Sequence, residues 1–389
     1  MFLTIIAFFG VLTLIVLVHE WGHFWTARKF GVKAEEFGLG FPPRAIGVYK
    51  NNEGKWKKVL GAREVEDASD TIYSINWIPL GGFVKIKGED GENESDVDSF
   101  ASQKIWKRAT ILLAGVSMNI ISAIVLTTIG FMIGLPQVLG DQGDKAIVSN
   151  QQVQVVEVLA DSPAEKADLE VGDIIVSVNG TELSEGEQLQ SLVDNKKNEA
   201  LEYNIKREGK IINKQITAEI RPETGRGGIG VGVADTGLVR YPFYLSFWYG
   251  IESVVVLTGA IAIAFWELIS GLIMGQGMSA EVAGPVGIAA LTGQVAHMGF
   301  IYLLQFTVML SVNLAIINAF PFPALDGGRL LFLVFEKIKG SPVKREFEAV
   351  VHNLGFALLM ILVLFVTFKD VARYSGALKS FWGKIVGLF

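Results

Sequence analysis

The polar and apolar positions of this chain fall into long blocks. Residues 1–18 carry no charged side chain, and FLTIIAFFGVLTLIVLV approaches the roughly 20 apolar residues that cross a bilayer as a helix. The pattern predicts a first transmembrane helix over 1–27. A cleaved signal peptide is the competing reading. It is disfavoured because no basic region precedes the run, no small-residue cleavage site follows it, and cleavage would discard His19, Glu20 and His23. Residues 28–108 are mixed. Within them TIYSINWIPLGGFVKIK (71–87) reads as β-structure punctuated by Pro79 and Gly81-Gly82, and GEDGENESDVDS (88–99) reads as a solvated loop. Residues 109–135 form a second uncharged run. From 150 to 222 valine alternates with polar residues between turn signals, the mark of a soluble β-rich domain. Residues 244–275 are an apolar stretch interrupted by Glu252 and Glu267, which suits an interfacial or re-entrant helical segment over 240–276. Two more spans are expected at 301–323 and 354–371.

Charge sets the orientation. Fourteen Lys and Arg lie between Arg28 and Arg108 and none between Met1 and Ala27, which puts the first loop in the cytoplasm. Arg329, Lys337, Lys339, Lys344 and Arg345 put the loop after the 301–323 run there too. About four spans then satisfy every charge bias, with the soluble domain outside the cytoplasm. The 389 residues are 50% hydrophobic and only 19% charged, below the roughly 25% of soluble domains. A net charge of −6 argues against nucleic acid as a partner, and the lack of cysteine excludes thiol nucleophiles and cysteine metal sites.

The chemistry begins at His19-Glu20-Trp21-Gly22-His23. On a helix, residues four apart share a face, so both imidazoles reach one ion, while Glu20 beside them can hold a water on the metal and take its proton. Ionisable groups directly behind eighteen apolar residues are costly and mark function. Catalytic zinc takes three protein ligands, and no third histidine follows nearby. Asp326, in NAFPFPALDGGR (318–329), is the candidate: Pro321 and Pro323 break the helix, Gly327 and Gly328 permit turns, and irregular backbone at membrane depth belongs around a buried site. A helix-capping aspartate is the other reading. His297 and His352 read as hydrogen-bonded or interfacial histidines.

In order and nearly throughout its length, the chain resembles the site-2 protease family of intramembrane zinc metalloproteases, within it the bacterial regulator of sigma-E protease group. The resemblance rests on the HExxH, a PDZ-like segment from Asp161-Ser-Pro-Ala to Asn179-Gly180, and Asn318-x-x-Pro-x-Pro-x-Leu-Asp326-Gly-Gly. It implies an α-helical polytopic membrane protein of about four spans, with a membrane-associated β-hairpin region and one inserted PDZ domain. It implies Zn2+ on His19, His23 and Asp326, and Glu20 as general base. Asn318 would position substrate or stabilise an oxyanion, or else satisfy the broken helix. Gly82, Phe83 and Val84 resemble the hairpin that presents an extended substrate. Asn119, in Ala114-Gly-Val-Ser-Met-Asn119, resembles the second-helix motif, although relatives often have proline where Val116 stands. Gly284-Pro-Val-Gly287 resembles a turn before the third span. Implied partners are the lipid bilayer, single-span substrates such as anti-sigma-factor-like regulators or remnant signal peptides, and exported C-termini at the PDZ domain, which otherwise serves as a size filter. The implied location is the bacterial inner membrane, with the active site toward the cytoplasm. The alternative is a catalytically inactive PDZ-containing receptor or adaptor.

Overall fold

The computed structural model describes residues 2–91, 95–140, 142–196, 198–207, 209–220, 227–275 and 283–373. Residue 1 of the first expected helix, 92–94 of the acidic loop, 197, 208 and 221–222 of the expected PDZ range and 276 of the expected interfacial segment lie outside them. The chain divides into two compact units. One comprises Met1–Leu126, Ile251–His297 and Phe306–Phe389; the other comprises Thr127–Gly250 and Met298–Gln305.

In the first unit, α1 (Phe2–Lys29) is apolar until its last turns, where Arg28 and Lys29 complement the helix dipole. Strands β1 (Ala34–Lys50), β2 (Trp56–Leu60) and β3 (Ile72–Ile86) form an antiparallel sheet in the order β2-β1-β3. Both long strands double back, β1 around Pro42-Pro43 and β3 around Pro79–Gly81, where proline has no N–H for the ladder. Residues Glu36–Leu39 therefore pair on one side with Ile72–Ile75 and on the other with Gly82–Lys85. Gly81 makes the bend possible: its φ is +64°, and a Cβ there would lie 2.7 Å from Val16 of α1. The expected hairpin is thus a curled sheet whose last arm runs against α1. Helix α2 (Ile105–Ile133) approaches α1 closely at Gly22, where a Cβ would lie 2.4 Å from the Ala114 carbonyl oxygen.

The second unit holds β4 (Leu135–Val138), β5 (Ile147–Val158), α3 (Pro163–Lys166), β6 (Ile174–Val178), β7 (Thr181–Glu182), α4 (Gly186–Asn195), β8 (Ala200–Arg207), β9 (Lys210–Thr217), β10 (Glu219–Ile220), β11 (Gly227–Gly228) and β12 (Val231–Arg240). Its main sheet runs β4-β12-β5-β6-β8-β9, with β7 against β6. Val153, Val155, Ile175, Leu201, Tyr203 and Ile205 alternate along the strands into one core. Strand β12 lies beyond the 222 boundary expected from sequence. Its glycines weaken the strand pattern, yet it is paired on both sides, by β4 and β5. Asp173, almost fully buried, receives two 2.7 Å hydrogen bonds from Arg207.

The remaining helices are α5 (Phe243–Ile273), α6 (Pro285–Met298), α7 (Phe300–Ala319), α8 (Asp326–Lys339) and α9 (Arg345–Arg373). Helix α5 is unbroken over 31 residues, so among the described residues five helices are long and apolar enough to cross a membrane, one more than the charge bias counts. Helix α9 begins nine residues before the expected span, because its first turn carries Glu346 and Glu348, which favour a helix start. Helices α6 and α8, each of 14 residues, have no counterpart among the expected elements; they are too short to stand out beside the long apolar runs. The Gly284-Pro-Val-Gly287 segment opens α6. Pro285 stands at its first position, and Asp370 of α9 accepts the Gly287 N–H at 2.7 Å. A Cβ at Gly284 would lie 2.8 Å from the same carboxylate, so both glycines make room for this cap.

Replacing Arg207 by alanine leaves the Asp173 charge buried and unpaired, a loss on the order of 3 kcal/mol. Hydrogen exchange of β6 and β8 amides in the full chain should accelerate by about two orders of magnitude. Unchanged protection would contradict the pairing.

Candidate metal centre

His19 and His23 lie one turn apart on the buried face of α1. Their Nε2 atoms are 3.2 Å apart, and Asp326 Oδ2 is 3.2 Å from the first and 3.3 Å from the second. Three donors at tetrahedral distances from a zinc ion would stand about 3.3 Å from one another. Asp326 Oδ2 is also buried without a hydrogen-bond partner. Spacing, donor chemistry and the orphaned oxygen all fit zinc. Among the described residues this is the one cluster of three or more His, Asp or Glu side chains arranged to share an ion.

Helix α2 supports the two imidazoles. His23 Nδ1 donates to the Ile111 carbonyl at 2.9 Å, which leaves the Nε2 lone pair facing the centre. Asn119, fully buried, stands 3.4 Å from His19 Nδ1. Its Oδ1 has no partner, so exchanging the two amide atoms, which are alike in shape, gives His19 Nδ1–H an acceptor. Between them Gly115 leaves the space that the rings fill: a Cβ there would lie 2.3 Å from His23 Nε2. Ile111, Gly115 and Asn119 are four residues apart and form one stripe. Sequence reading placed Gly115 in the second-helix motif but singled out Asn119 alone as a candidate. A glycine inside an apolar helix was the available signal, because it costs helix stability without a packing reason.

Asp326 reaches the centre from irregular backbone. Helix α7 stops at Ala319, and Pro321 and Pro323 offer no N–H. Phe322 N–H donates to the Phe320 carbonyl and Leu325 N–H to the Phe322 carbonyl, so the loop satisfies two of its N–H groups internally. Asp326 opens α8, and Gly327 and Gly328 let the chain fold back: a Cβ on either would lie within 2.3 Å of a carbonyl oxygen of Phe320 or Phe322. Helix α7 therefore ends four residues before the 323 limit expected from sequence.

The remaining candidates gather around this point. Glu20 accepts the Val84 N–H at 3.1 Å. Gly82 is buried against Leu17, and the Phe83 ring lies over Gly38. Asn318 Nδ2 is 3.4 Å from His19 Nε2. Arg329 pairs with Glu89 and Asp90 in the turn after β3, which ties the β-sheet to the start of α8. All nine residues singled out from sequence thus lie in the first unit, on α1, α2, β3 and the α7–α8 junction.

Comparison with known proteins adds an independent line. The model of peptidase family M50 matches residues 7–362. A chain of Brucella suis assigned as a zinc metalloprotease is 32% identical over 388 residues, covering 95% of each chain. The regulator of sigma-W protease RasP of Bacillus subtilis is 28% identical, covering 95% of this chain and 98% of its own. The regulator of sigma E protease of Haemophilus influenzae is 27% identical, covering 94% and 98%. Among solved structures, the PDZ domain of an SdrC-like protein of Listeria monocytogenes aligns with 22% of this chain and 92% of its own, at 26% identity and a TM-score of 0.21.

Gly115→Ala should drive a methyl group into the imidazole pair. The purified variant should keep its helical circular dichroism while its zinc content falls below about a tenth of wild type. Full zinc occupancy would contradict the packing of α2 against the two rings.

Proposed function

The chain belongs to peptidase family M50 and is a zinc metalloprotease of the bacterial inner membrane, and from that premise we propose that it cuts single-span membrane proteins within or at the edge of the bilayer. In this reading His19, His23 and Asp326 hold zinc, and Glu20 is the general base. The observation that carries it is the triangle of donors, 3.2, 3.2 and 3.3 Å on its sides.

Zinc, when bound there, supplies a Lewis acid and brings the pKa of a coordinated water to about 7. Glu20 takes the proton of the attacking water and returns it to the departing amide nitrogen. Asn318, beside His19 on the side of the α7–α8 loop, donates its amide N–H to the oxyanion as it develops. Asn119 does not meet substrate in this account; it is fully buried and orients the His19 ring.

A helical substrate hides its peptide bonds in its own ladder, so it must be extended before it is cut. The Gly82–Ile86 arm of β3 suits that task. Among the described residues β1 is its one strand partner, and on its other edge the Val84 N–H points to Glu20. A substrate added along that edge takes its hydrogen bonds from the arm and lies next to the base. Anti-sigma-factor-like regulators and remnant signal peptides are the proposed substrates, in keeping with the names of the Bacillus and Haemophilus relatives. The inserted domain, read as a PDZ domain, stands outside the cytoplasm and acts as a size filter or takes exported C-termini.

The orientation proposed from charge puts the N-terminus and the inserted domain outside, and the metal centre toward the cytoplasm. Helices α5 and α6 then enter the membrane and return, leaving Met298 on the side of the inserted domain. In support, Gln305 near the start of α7 donates to the Pro136 carbonyl of β4 at 3.2 Å.

Glu20→Gln should bind zinc as wild type does and lose at least about 100-fold in cleavage of single-span model substrates. Activity within a few-fold of wild type would refute the base assignment. The absence of native cysteine allows single-cysteine labelling without background. Cysteines at Lys166 and Met298 should react with an impermeant maleimide from outside, and those at Lys58 and Lys339 only after permeabilisation. Lys166 and Met298 on opposite faces would overturn this topology.

A further inference from the structure

The loop that delivers Asp326 has one N–H that neither it nor a proline accounts for, and another helix takes it. Ala324 N–H donates to His352 Nδ1 of α9 at 2.9 Å. Ala324 has a φ of +77°, in the left-handed region that a residue with a Cβ rarely adopts. Three residues further along α9, Gly355 is buried under the same loop, and a Cβ there would lie 2.4 Å from Pro323 Cβ and 2.7 Å from its carbonyl oxygen. The His352 ring is backed by Phe332 of α8, with centroids 5.4 Å apart. One stripe of α9 thus grips Pro323-Ala324 two residues before Asp326.

We propose that His352 is a positioning residue for the metal centre. It holds Ala324 in the left-handed conformation by accepting its N–H, and so fixes the direction in which Asp326 leaves the loop. It touches neither zinc nor substrate. Accepting at Nδ1 places the ring proton on Nε2, which faces Glu348 at 3.9 Å, so the ring acts as a neutral acceptor. Gly355 allows the approach and His352 supplies the bond. The proposal rests on the reading of Asp326 as the third ligand.

The test uses the full chain in detergent and measures zinc affinity by chelator competition, with helicity and size-exclusion profiles as folding controls. His352→Leu keeps the bulk against Phe332 and removes the acceptor; zinc affinity should fall about tenfold, the scale of lost outer contacts at metal sites. His352→Asn, whose amide oxygen can accept the same N–H, should stay within about threefold of wild type. Adding Ala324→Gly to His352→Leu should restore most of the loss, because glycine enters the left-handed region without strain. Unchanged affinity in His352→Leu, or no rescue by either route, would overturn the proposal. If His352→Leu does not fold, Gly355→Ala tests the same grip: lowered zinc affinity supports it and wild-type affinity refutes it. Asp326→Ala separates the two levels. Wild-type zinc affinity in that variant removes the ligand reading itself, whereas weakened zinc there with wild-type affinity in His352→Leu removes only the role of His352.

Discussion

The elements around His19, His23 and Asp326 answer one constraint: a carboxylate and two imidazoles meet within about 3.3 Å among apolar helices, where an unsatisfied polar group costs several kcal/mol. Two of the three donors come cheaply, since residues four apart on α1 already share a face. The third must arrive from another element, and a straight helix cannot turn a carboxylate across its own end toward a neighbour. The chain breaks α7 with two prolines, folds back on two glycines, and starts α8 at Asp326. Within that break the Phe322 and Leu325 N–H groups find acceptors inside the loop, and the Ala324 N–H finds one on α9.

The same economy explains the close helix contacts. Gly22 and Gly115 contribute space more than contacts; they let α1 and α2 approach until Ile111 and Asn119 stand behind the imidazoles. Gly284 and Gly287 do the same for Asp370 at the start of α6. The β-sheet is brought to the centre by Gly81 and Gly82 against Val16 and Leu17, the residues just before His19. Small residues, spread through four elements, set the distances on which the polar ones depend.

Much of this was legible in the sequence because it is carried by local spacing. The HExxH on an apolar helix, the proline-broken LDGG segment and the β-pattern at 71–87 each announce themselves within a few residues. What was not legible depends on contacts between distant segments. Nothing near Gly115 says that two rings from α1 will press on it. His352 reads as an ordinary helix-edge histidine until α9 is laid against Ala324. The α5 segment shows another limit: its two glutamates suggest an interfacial or re-entrant helical segment, but they do not tell that the helix runs unbroken over 31 residues. Strand β12 was missed because its glycines hide a pattern that pairing on both sides makes stable.

The identity of the donors decides the chemistry of this centre, and X-ray absorption at the zinc edge of the purified chain reads them directly. Two imidazole nitrogens with oxygen donors completing the shell, at about 2.0–2.2 Å, are predicted, with the carboxylate contribution lost in Asp326→Ala. A third imidazole in the shell, necessarily from His297 or His352, or a spectrum unaltered by Asp326→Ala, would contradict it.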